Sequence, residues 1–546
     1  MSDYPLPVDA YGNFDATFTN SDIPGPAALP VSNPTKAFWT HPGLSTDWPI
    51  SISVAVELGK LVRQENVGDI KVVILEARDF CRSFTIRSVF NSIANCRLWR
   101  NWYEGSSMLK SINLIEKLFQ DAMEKHTVSS LLNLIEEGGW AKDVDLIEGG
   151  HNELLASSDG VDEGRADWRK AVDAGIIKEN DVTWFTPEEA KDVRPGHNLW
   201  PVRLVTKMFE LARDGKNATE STPGVQSSQQ SNNSSYSSTI ARILSNILPS
   251  SSKSGAENQG TTRVGGKSNN QDPYRLILHT HTPAHSVKSN VQKSGRKWAV
   301  ETSRGIVHTD TVVYATNAYA SHLLPQLAGP KGIIPVRGQV VAVRALVGYI
   351  DEGWKEKGGV VGLTRSGWGG NQGFEYWFPR PNPSHPSATP TQNEEELPTD
   401  NTGPNKGIQR PLVILGGARE TLKDKGYGMY ETDDSKLDAE ASAGLRRFLH
   451  SVFPGQYSTN DLESVSKNIE VEWVMLLKSD LVGRVKDANG TIVPGQYISA
   501  GYTGHALASL IWRDIKQPNK DWTIPDWLPR HYLTQSPEEY KAGQSD

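Results

Sequence analysis

A short apolar strand that runs into a glycine-punctuated turn constrains this chain more than any other feature. The strand covers residues 496–500, and Gly501 and Gly504 interrupt the turn before a second apolar segment begins. Glycine has no Cβ, so the backbone can approach a ligand closely at these positions or take positive φ. A strand that ends in glycines before a helix presents main-chain N–H groups to a bound cofactor. The pattern therefore favours an α/β fold with a ligand site at the end of this strand.

A second α/β signature lies near the N-terminus. Residues 52–64 carry apolar side chains at helical spacing, and the continuous apolar run at residues 71–75 ends at Glu76. Such a run is typical of a strand that is covered on both faces. A carboxylate at the end of this kind of strand accepts hydrogen bonds from the ribose hydroxyls of a dinucleotide. From the residues alone, a Glu76 that simply ends a strand at solvent is the open alternative.

Further stretches have the patterns of regular structure. Residues 111–137 and 199–212 are predicted to be helices, the second with Pro201 in its first turn. Residues 145–156 are predicted to form a strand pair or hairpin. An antiparallel sheet in the second half of the chain is predicted from strand-like runs at residues 338–344, 374–379, 412–415 and 469–476.

Several motifs together resemble the FAD-dependent oxidoreductases of the D-amino-acid oxidase type, and above all their fungal members. GYTGH at residues 501–505 resembles the C-terminal flavin-binding stretch, and VVILEARDFC at residues 72–81 resembles the second strand with its ribose-binding acid. HTHTPAHSV at residues 279–287 resembles the strand and turn beside the adenine. VVYATNAYASHLLP at residues 312–325 resembles the strand that leads to the flavin, and PVRGQVVAV at residues 335–343 resembles the crossover into the substrate domain.

This resemblance implies an α/β fold, α+β overall. Its parts are an FAD/NAD(P)-binding Rossmann-like domain that is discontinuous in sequence and an antiparallel-sheet substrate domain. The FAD-binding domain is predicted at residues 49–140, 196–214, 272–330 and 480–520, and the substrate domain at residues 141–195 and 331–479. The remaining predicted parts are an extended N-terminal arm at residues 1–48, a disordered insertion at residues 215–271 and a loose insertion at residues 381–409.

The resemblance also implies FAD as the cofactor and a small-molecule amine or amino acid as the substrate. No side chain is predicted to be catalytic, because hydride would pass from the substrate carbon to the flavin and the isoalloxazine carries that chemistry. Arg337 is expected to tune the flavin charge or to bind a substrate carboxylate. The predicted cofactor-binding residues are Glu76, Ala77, Arg78, Val287, Ala315, Thr316, Arg337, Gly338, Gln339, Gly501, Tyr502, Thr503, Gly504 and His505.

The chain departs from the family pattern where the flavin should be held. A dinucleotide site needs a first strand and a Gly-x-Gly-x-x-Gly turn that places the pyrophosphate on a helix N-terminus. Between Pro42 and Ala55 the only glycine is Gly43, so this strand and turn are missing. The glycine loop expected after Cys81 is also absent, and the motif at His505 breaks one residue later. Loss of the first strand predicts unpaired edges on the neighbouring strands.

Two functions therefore stay open at this point. The first is an FAD-dependent oxidoreductase of the amine or amino-acid oxidase type, with activity that the missing loop impairs. The second is a non-catalytic relative that no longer binds FAD, as a decayed or mis-joined gene product.

Composition excludes other classes. The net charge of −7 does not indicate a nucleic-acid-binding surface. No apolar run approaches the ~20 residues that span a bilayer. Cys81 and Cys96 are the only cysteines and fit a reducing compartment. We expect a soluble, cytoplasmic protein without a metal. His279, His281 and His285 have strand spacing, but no fourth ligand for zinc is evident.

Two smaller features leave alternatives open. Arg194 and Arg203, near the second predicted helix, either clamp a substrate carboxylate or form structural salt bridges. Within the predicted insertion, residues 239–248 carry an apolar helical stripe. This stripe predicts either a transient helix or weak docking to a partner or a membrane.

Overall fold

The structure is a computed structural model, and its described part consists of separate ranges. They are residues 25–35, 52–65, 69–78, 114–148, 151–155, 157–173, 178–184, 197–215, 272–290, 295–329, 332–348, 363, 367–370, 375–380, 410–457, 469–477, 481–500, 503–518 and 520–540. Several features of the sequence lie outside these ranges: both predicted insertions, Cys81, Cys96, Arg194, Gly501 and Tyr502.

The regular elements of these ranges are numbered in chain order. The α-helices are α1 (Ile52–Glu65), α2 (Leu114–Gly138), α3 (Ser158–Asp173), α4 (Pro201–Asp214), α5 (Ala320–Leu323), α6 (Ala439–Val452) and α7 (Gly504–Lys516). The strands are β1 (Ile70–Leu75), β2 (Ile147–Glu148), β3 (His151–Leu154), β4 (His197–Asn198), β5 (Tyr274–His279), β6 (Ala284–Ser289), β7 (Trp298–Thr302), β8 (Gly305–Thr309), β9 (Val312–Tyr314), β10 (Val336–Arg344), β11 (Gly367–Gly370), β12 (Glu375–Arg380), β13 (Leu412–Gly417), β14 (Ile469–Leu477), β15 (Leu481–Lys486) and β16 (Ile492–Ala500).

Four of the strands with a parallel partner, β1, β5, β9 and β16, lie in two separate small sheets. β1 pairs with β5 in parallel, and β16 pairs in parallel with β9 and antiparallel with β15. Within the described ranges, β1 and β9 each have a hydrogen-bonded neighbour on one side only. These edges agree with the unpaired edges predicted from the missing first strand, which stay a prediction because every open sheet ends in two such strands.

One apolar core nevertheless serves both parallel sheets. Ile74 of β1 and Tyr497 of β16 belong to the same cluster of buried residues. Val62 of α1 and Leu507 of α7, each with 0% of its surface exposed, belong to it as well. α1 packs directly on α7 and on α4. Because burial of apolar surface needs no strand pairing, the helices hold the two sheets together.

Helix α4 shows why its residues form a helix and where it ends. Pro201 stands at the start, where its missing N–H costs nothing. Leu204, Val205 and Met208 are buried on one face, as predicted. Gly215 closes the helix in a left-handed conformation (φ 70°), and its N–H donates to the Leu211 carbonyl.

The second half of the chain builds a six-stranded sheet of order β14-β10-β13-β12-β11-β3. All of its pairs are antiparallel except β11 with β3. Leu445 and Leu449 of α6 share a buried cluster with Val341 of β10 and Leu415 of β13, so α6 covers this sheet. The predicted antiparallel sheet and the predicted α/β fold class, α+β overall, are both confirmed, and the predicted domain boundaries stay a prediction.

Two strands form within residues 145–156, as predicted, but they do not pair with each other, so the hairpin alternative is wrong. β2 pairs with β4, with Ile147 opposite Asn198. β3 pairs in parallel with β11, with His151 opposite Gly367. β3 thereby extends the six-stranded sheet, whereas β2 and β4 form a two-stranded sheet of their own. For both strands, pairing with a distant strand outweighs the local turn signal.

Strands β6, β7 and β8 form an antiparallel meander that follows β5. None of the described helices combines the length and apolar character needed to cross a bilayer.

Candidate functional site

In each of the two parallel sheets, the two parallel strands end together at their carboxyl ends. Leu75 of β1 lies opposite His279 of β5, so these two strands end together. Ile498 of β16 lies opposite Tyr314 of β9, so their carboxyl ends also share one edge. In open α/β sheets, ligands bind at the carboxyl ends of the strands. This edge is therefore the candidate site.

Glu76 and Arg78 stand at the end of β1. Glu76 is 8% exposed, its Oε1 accepts from the Arg78 N–H at 3.1 Å, and its carbonyl accepts from the Thr282 N–H at 2.8 Å. The reading in which Glu76 simply ends a strand at solvent is wrong. Its predicted contact with the ribose stays a prediction.

The guanidinium of Arg78 is committed to an ion pair that spans the fold. Nη1 and Nη2 donate to the two carboxylate oxygens of Asp434 at 2.8 and 2.9 Å. Both side chains are 3% exposed. Burial alone would lower the pKa of Arg78, but the Asp434 carboxylate more than offsets this and the pKa lies above its ordinary value. Nη2 also reaches the Tyr319 hydroxyl at 3.5 Å, which joins the end of β1 to the segment after β9.

Asp434 is a site residue that sequence reasoning missed. It lies in the polar stretch ETDDSK, where nothing distinguishes it from the neighbouring acids. Its backbone carbonyl also accepts from the Thr35 N–H at 2.9 Å, which fixes part of the N-terminal arm. Arg78, Asp434 and Tyr319 therefore tie the arm, β1 and the segment after β9 into one buried cluster.

Buried polar atoms without partners follow β9. Within the described ranges, Thr316 Oγ1 and both amide atoms of Asn317 have no hydrogen-bond partner. Asn317 is 5% exposed and has a left-handed φ of 55°. Each unsatisfied buried group costs about 1–3 kcal/mol. Sequence reasoning named Ala315 and Thr316 but missed Asn317. The available signal was that asparagine tolerates positive φ better than most residues.

The N-terminus of α7 lies close to that of α1. A Cβ on Gly504 would stand 2.1 Å from Ser53 Oγ, so the glycine is needed for the contact between these helices. Thr503 is fully buried, and its Oγ1 shares a hydrogen bond with Ser499 Oγ at 3.2 Å. Gly504 was predicted to allow close approach of the cofactor; what approaches it in the structure is Ser53.

His505 takes part in an aromatic cluster on α7. It is exposed, and its ring lies 5.5 Å from that of His126 on α2. His126 stacks on Trp527 with ring centroids 4.0 Å apart. Burial and the neighbouring His505 lower the pKa of His126 to about 4. The predicted contact of His505 with the cofactor stays a prediction.

Residues on β10 gather around the start of α6. Gln339 Oε1 accepts from the Asp438 N–H at 2.9 Å, and its Nε2 donates to Ser442 Oγ at 2.5 Å. Arg337 lies 3.5 Å from Glu431 and 3.9 Å from Asp438. The amide of Gln339 therefore positions α6, and its predicted contact with the isoalloxazine stays a prediction.

The remaining predicted residues lie as follows. Gly338 is buried on β10, Val287 is half-buried on β6, and Ala77 directly follows Glu76. Arg203 donates to Asp145 Oδ2 at 2.7 Å in a part-buried pair, which agrees with the structural salt bridge rather than a substrate clamp. No group of three or more His, Cys, Asp or Glu side chains within the described ranges is arranged to hold a metal ion.

The residues at this edge fit part of FAD. The unpartnered Thr316 and Asn317 atoms suit the polar edge of an isoalloxazine, and the buried carboxylate of Glu76 suits ribose hydroxyls. The phosphates of FAD lack a matching site, because the sequence contains no glycine turn ahead of α1. The starts of α1 and α7 would be the candidate donors for that portion of the cofactor.

Comparisons with known proteins give three findings. Residues 276–512 match the family model DAO, described as FAD dependent oxidoreductase. Comparison with curated proteins gives no match. Several solved structures are similar over most of their length at low identity.

Glycine oxidase from Geobacillus kaustophilus is 12% identical, with 88% of this chain and 95% of that chain covered and a TM-score of 0.47. Iminodiacetate oxidase from Chelativorans sp. BNC1 is 12% identical, with 89% and 97% covered and a TM-score of 0.46. L-proline dehydrogenase from P. horikoshii is 14% identical, with 88% and 93% covered and a TM-score of 0.44.

The family match begins in β5 and ends in α7, so it includes β9, β10 and β16. FAD is the cofactor that this family uses. The resemblance seen in the motifs is confirmed over residues 276–512, which match the model of the DAO family of FAD-dependent oxidoreductases.

Proposed function

We propose that this protein oxidises a small amine or amino acid with FAD as its cofactor. The observation that carries the proposal is the family match itself, which runs through β9, β10, β16 and α7. The bound FAD would supply the acceptor for a hydride from the carbon next to the substrate nitrogen. The protein then has to orient the two reactants, exclude water and set the local charge.

Residues at the strand ends of both parallel sheets support these roles of the protein. Glu76, buried at the end of β1, would accept hydrogen bonds from ribose hydroxyls. Thr316 and Asn317 would meet polar atoms of the ring, because they are buried and have no partner within the described ranges. The start of α7 at Gly504 would contribute main-chain N–H groups toward a phosphate or a ring oxygen.

Arg337 is the candidate for contact with the substrate or with the flavin charge. Its side chain is 16% exposed and lies within 4 Å of the carboxylates of Glu431 and Asp438. These acids neutralise part of its charge, so a substrate carboxylate would have to compete with them. A positively charged or neutral amine would meet no such competition. We therefore favour amines over dicarboxylates as substrates, with simple amino acids, which carry one carboxylate, between them.

A second candidate function is supported by a different observation. Within the described ranges no strand joins β1 to β9, and the sequence lacks the glycine turn for the pyrophosphate. A protein with this defect keeps the fold of the family without retaining the cofactor. In that case it acts as a non-catalytic relative. The weak docking of residues 239–248 and the cytoplasmic location stay predictions.

Anaerobic mixing experiments test the proposed reaction. Protein incubated with FAD is freed of excess cofactor and mixed with a panel of glycine, N-methylglycine, D-alanine, L-alanine and a simple primary amine. The proposal expects at least one compound to bleach the oxidised flavin. Readmission of oxygen or an acceptor dye should restore its colour. Bound FAD that no compound reduces would contradict the proposed substrate class, and absence of bound FAD would support the second candidate.

A variant of Arg337 provides a specificity control. Arg337→Met is expected to raise KM for amino acids about 10-fold or more, the effect of losing one hydrogen bond to a charged group. It should change KM for a simple amine much less. Arg296→Met, in the exposed pair with Asp310, is the matched surface control and should leave both values unchanged.

A further inference from the structure

Asn317 combines three unfavourable features at the carboxyl end of β9. Its residue is 5% exposed, and within the described ranges neither Oδ1 nor Nδ2 has a hydrogen-bond partner. Its φ of 55° lies in the left-handed region, which few residues other than glycine adopt. Folding alone gives no reason for this residue, because glycine would remove both the strain and the unpaired amide.

The backbone around Asn317 is fixed although its side-chain amide has no partner in the described part of the chain. The Tyr319 N–H donates to the Thr316 carbonyl at 3.0 Å, and the Ala320 N–H donates to the Asn317 carbonyl. Tyr319 is in turn in contact with Arg78 through its hydroxyl. The backbone that carries the Asn317 amide is therefore fixed ahead of any ligand, which reduces the entropy lost on binding.

Thr316 adds a second unpartnered polar atom to this segment. Its Oγ1 is buried and, among the described residues, also lacks a partner. Two adjacent residues thus offer a hydroxyl, an amide donor and an amide acceptor. A ligand that satisfies them presents a hydrogen-bond donor beside acceptors on one rigid edge.

We infer that the Asn317 amide recognises the imide edge of the flavin ring, an inference that rests on the proposed function. Nδ2 would donate to a ring carbonyl and Oδ1 would accept from the ring N3–H, while Thr316 Oγ1 donates to a neighbouring acceptor. An amino-acid substrate offers related chemistry. The segment, however, follows β9 of the parallel sheet, whereas the antiparallel sheet β14-β10-β13-β12-β11-β3 was predicted to hold the substrate.

The test compares FAD with N3-methyl-FAD, which lacks the N3–H donor. Dissociation constants are measured by flavin fluorescence for the full-length protein, Asn317→Gly and Asn317→Asp. The wild-type protein is expected to bind FAD about 10-fold more tightly than N3-methyl-FAD, because the methylated ring cannot form the hydrogen bond from N3–H. Asn317→Gly should bind FAD about 10- to 100-fold more weakly and lose this discrimination.

Asn317→Asp separates the two halves of the interaction. A carboxylate of the same size can accept from N3–H but cannot donate to the ring carbonyl. This variant should therefore bind FAD more weakly and still prefer it over N3-methyl-FAD. Because the preference is a ratio between two ligands on one preparation, a fraction of unfolded protein cancels from it. Glycine and aspartate both tolerate the left-handed backbone.

A second buried asparagine serves as the matched control. Asn290 is 6% exposed, but its Nδ2 lies 2.9 Å from His308 Nδ1 in the meander. Asn290→Ala should leave the FAD affinity and the preference over N3-methyl-FAD unchanged.

The remaining outcomes separate this inference from the proposed function. FAD binding that is unchanged in Asn317→Gly would overturn the role of Asn317 and leave the proposed function standing. A rise in substrate KM without a change in FAD affinity would assign the amide to the substrate and overturn the flavin assignment. Failure of the unchanged protein to bind FAD would overturn the proposed function and this inference with it.

Discussion

At the scale of single residues, the buried pair of Arg78 and Asp434 carries the largest electrostatic consequence. Each side chain is 3% exposed, and the two make paired hydrogen bonds. Removing both charges from water is costly, so the pair as a whole adds little net stability. Breaking it from one side leaves a buried charge without its counter-ion, which is strongly unfavourable.

Asp434→Asn is therefore expected to lower the free energy of unfolding by about 3–5 kcal/mol. Replacement of both residues by apolar ones, Arg78→Met with Asp434→Leu, should recover most of that loss. Denaturant unfolding at neutral pH measures both. Lys288→Ala, in the exposed pair with Glu301, should leave the free energy of unfolding nearly unchanged. An equal loss in the Lys288 and Asp434 variants would contradict the burial of the pair.

His126 links stability to pH. Its pKa falls from 6.5 to about 4 in the folded protein because the ring is buried and lies near His505. Glu57 is the acidic side chain that acts in the opposite direction. The unfolded chain therefore binds a proton at higher pH than the folded chain does. Its contribution to stability is complete above pH 6.5 and is lost as the pH falls toward about 4.

The free energy of unfolding is expected to fall between pH 6.5 and pH 4, and His126→Asn should flatten that dependence. Denaturant midpoints across this pH range measure it. His285→Asn, at an exposed position in the meander, is the matched control and should retain the slope of the unchanged protein. A slope that His126→Asn leaves intact would assign the pH dependence to other groups.

At the scale of elements, the contact between α1 and α7 holds the two parallel sheets together. The helices meet where Gly504 faces Ser53, with no space for a side chain at residue 504. The motif that contains Gly504 was predicted from the sequence to allow a cofactor to approach. In the structure the same glycine allows α1 and α7 to pack. A packing role and a cofactor-binding role predict different effects when Gly504 is replaced.

Gly504→Ala is expected to destabilise the protein without cofactor by about 1–3 kcal/mol, because the new methyl group would overlap Ser53. Thermal and denaturant unfolding of the cofactor-free protein measure this. Ser53→Gly in the same chain should recover part of the loss. Gly25→Ala, where no atom lies within 4 Å, should change stability by less than about 0.5 kcal/mol. Reduced FAD affinity with unchanged stability would instead assign Gly504 to the cofactor.

The divided parallel sheet predicts a pattern of amide exchange. β16 has a partner on both sides, whereas β1 and β9 each have one within the described ranges. A strand with one neighbour leaves every second N–H unpaired. Hydrogen–deuterium exchange should therefore be slower in residues 496–498 than in residues 70–75 or 312–314. β10, paired on both sides, is the internal control, and equal protection in all four strands would contradict an open edge.

At the scale of the whole molecule, the sequence predicted elements better than it predicted their partners. Helix α4 carries strong apolar periodicity and strand β1 is a continuous apolar run, and both formed where expected. The hairpin at residues 145–156 failed because both of its strands pair with residues far away in the chain. Local turn signals contain no information about such partners.

The candidate site shows the same limit. Glu76 was recognisable because its position at the end of an apolar strand is a local pattern. Its neighbour Arg78 pairs with a residue 356 positions away, and no local pattern could identify Asp434. The unpartnered amide of Asn317 is likewise a property of the folded surroundings. A single chain shows which donors exist but not which of them remain unsatisfied after folding.

The most direct test of an FAD-dependent oxidoreductase is the visible absorption spectrum of the purified protein. It is recorded before and after incubation with excess FAD and desalting. A flavin spectrum that stays with the protein is the predicted result, and it would show that the site tolerates the missing glycine turn. A protein that remains colourless after this treatment would contradict the proposed function and leave the non-catalytic relative.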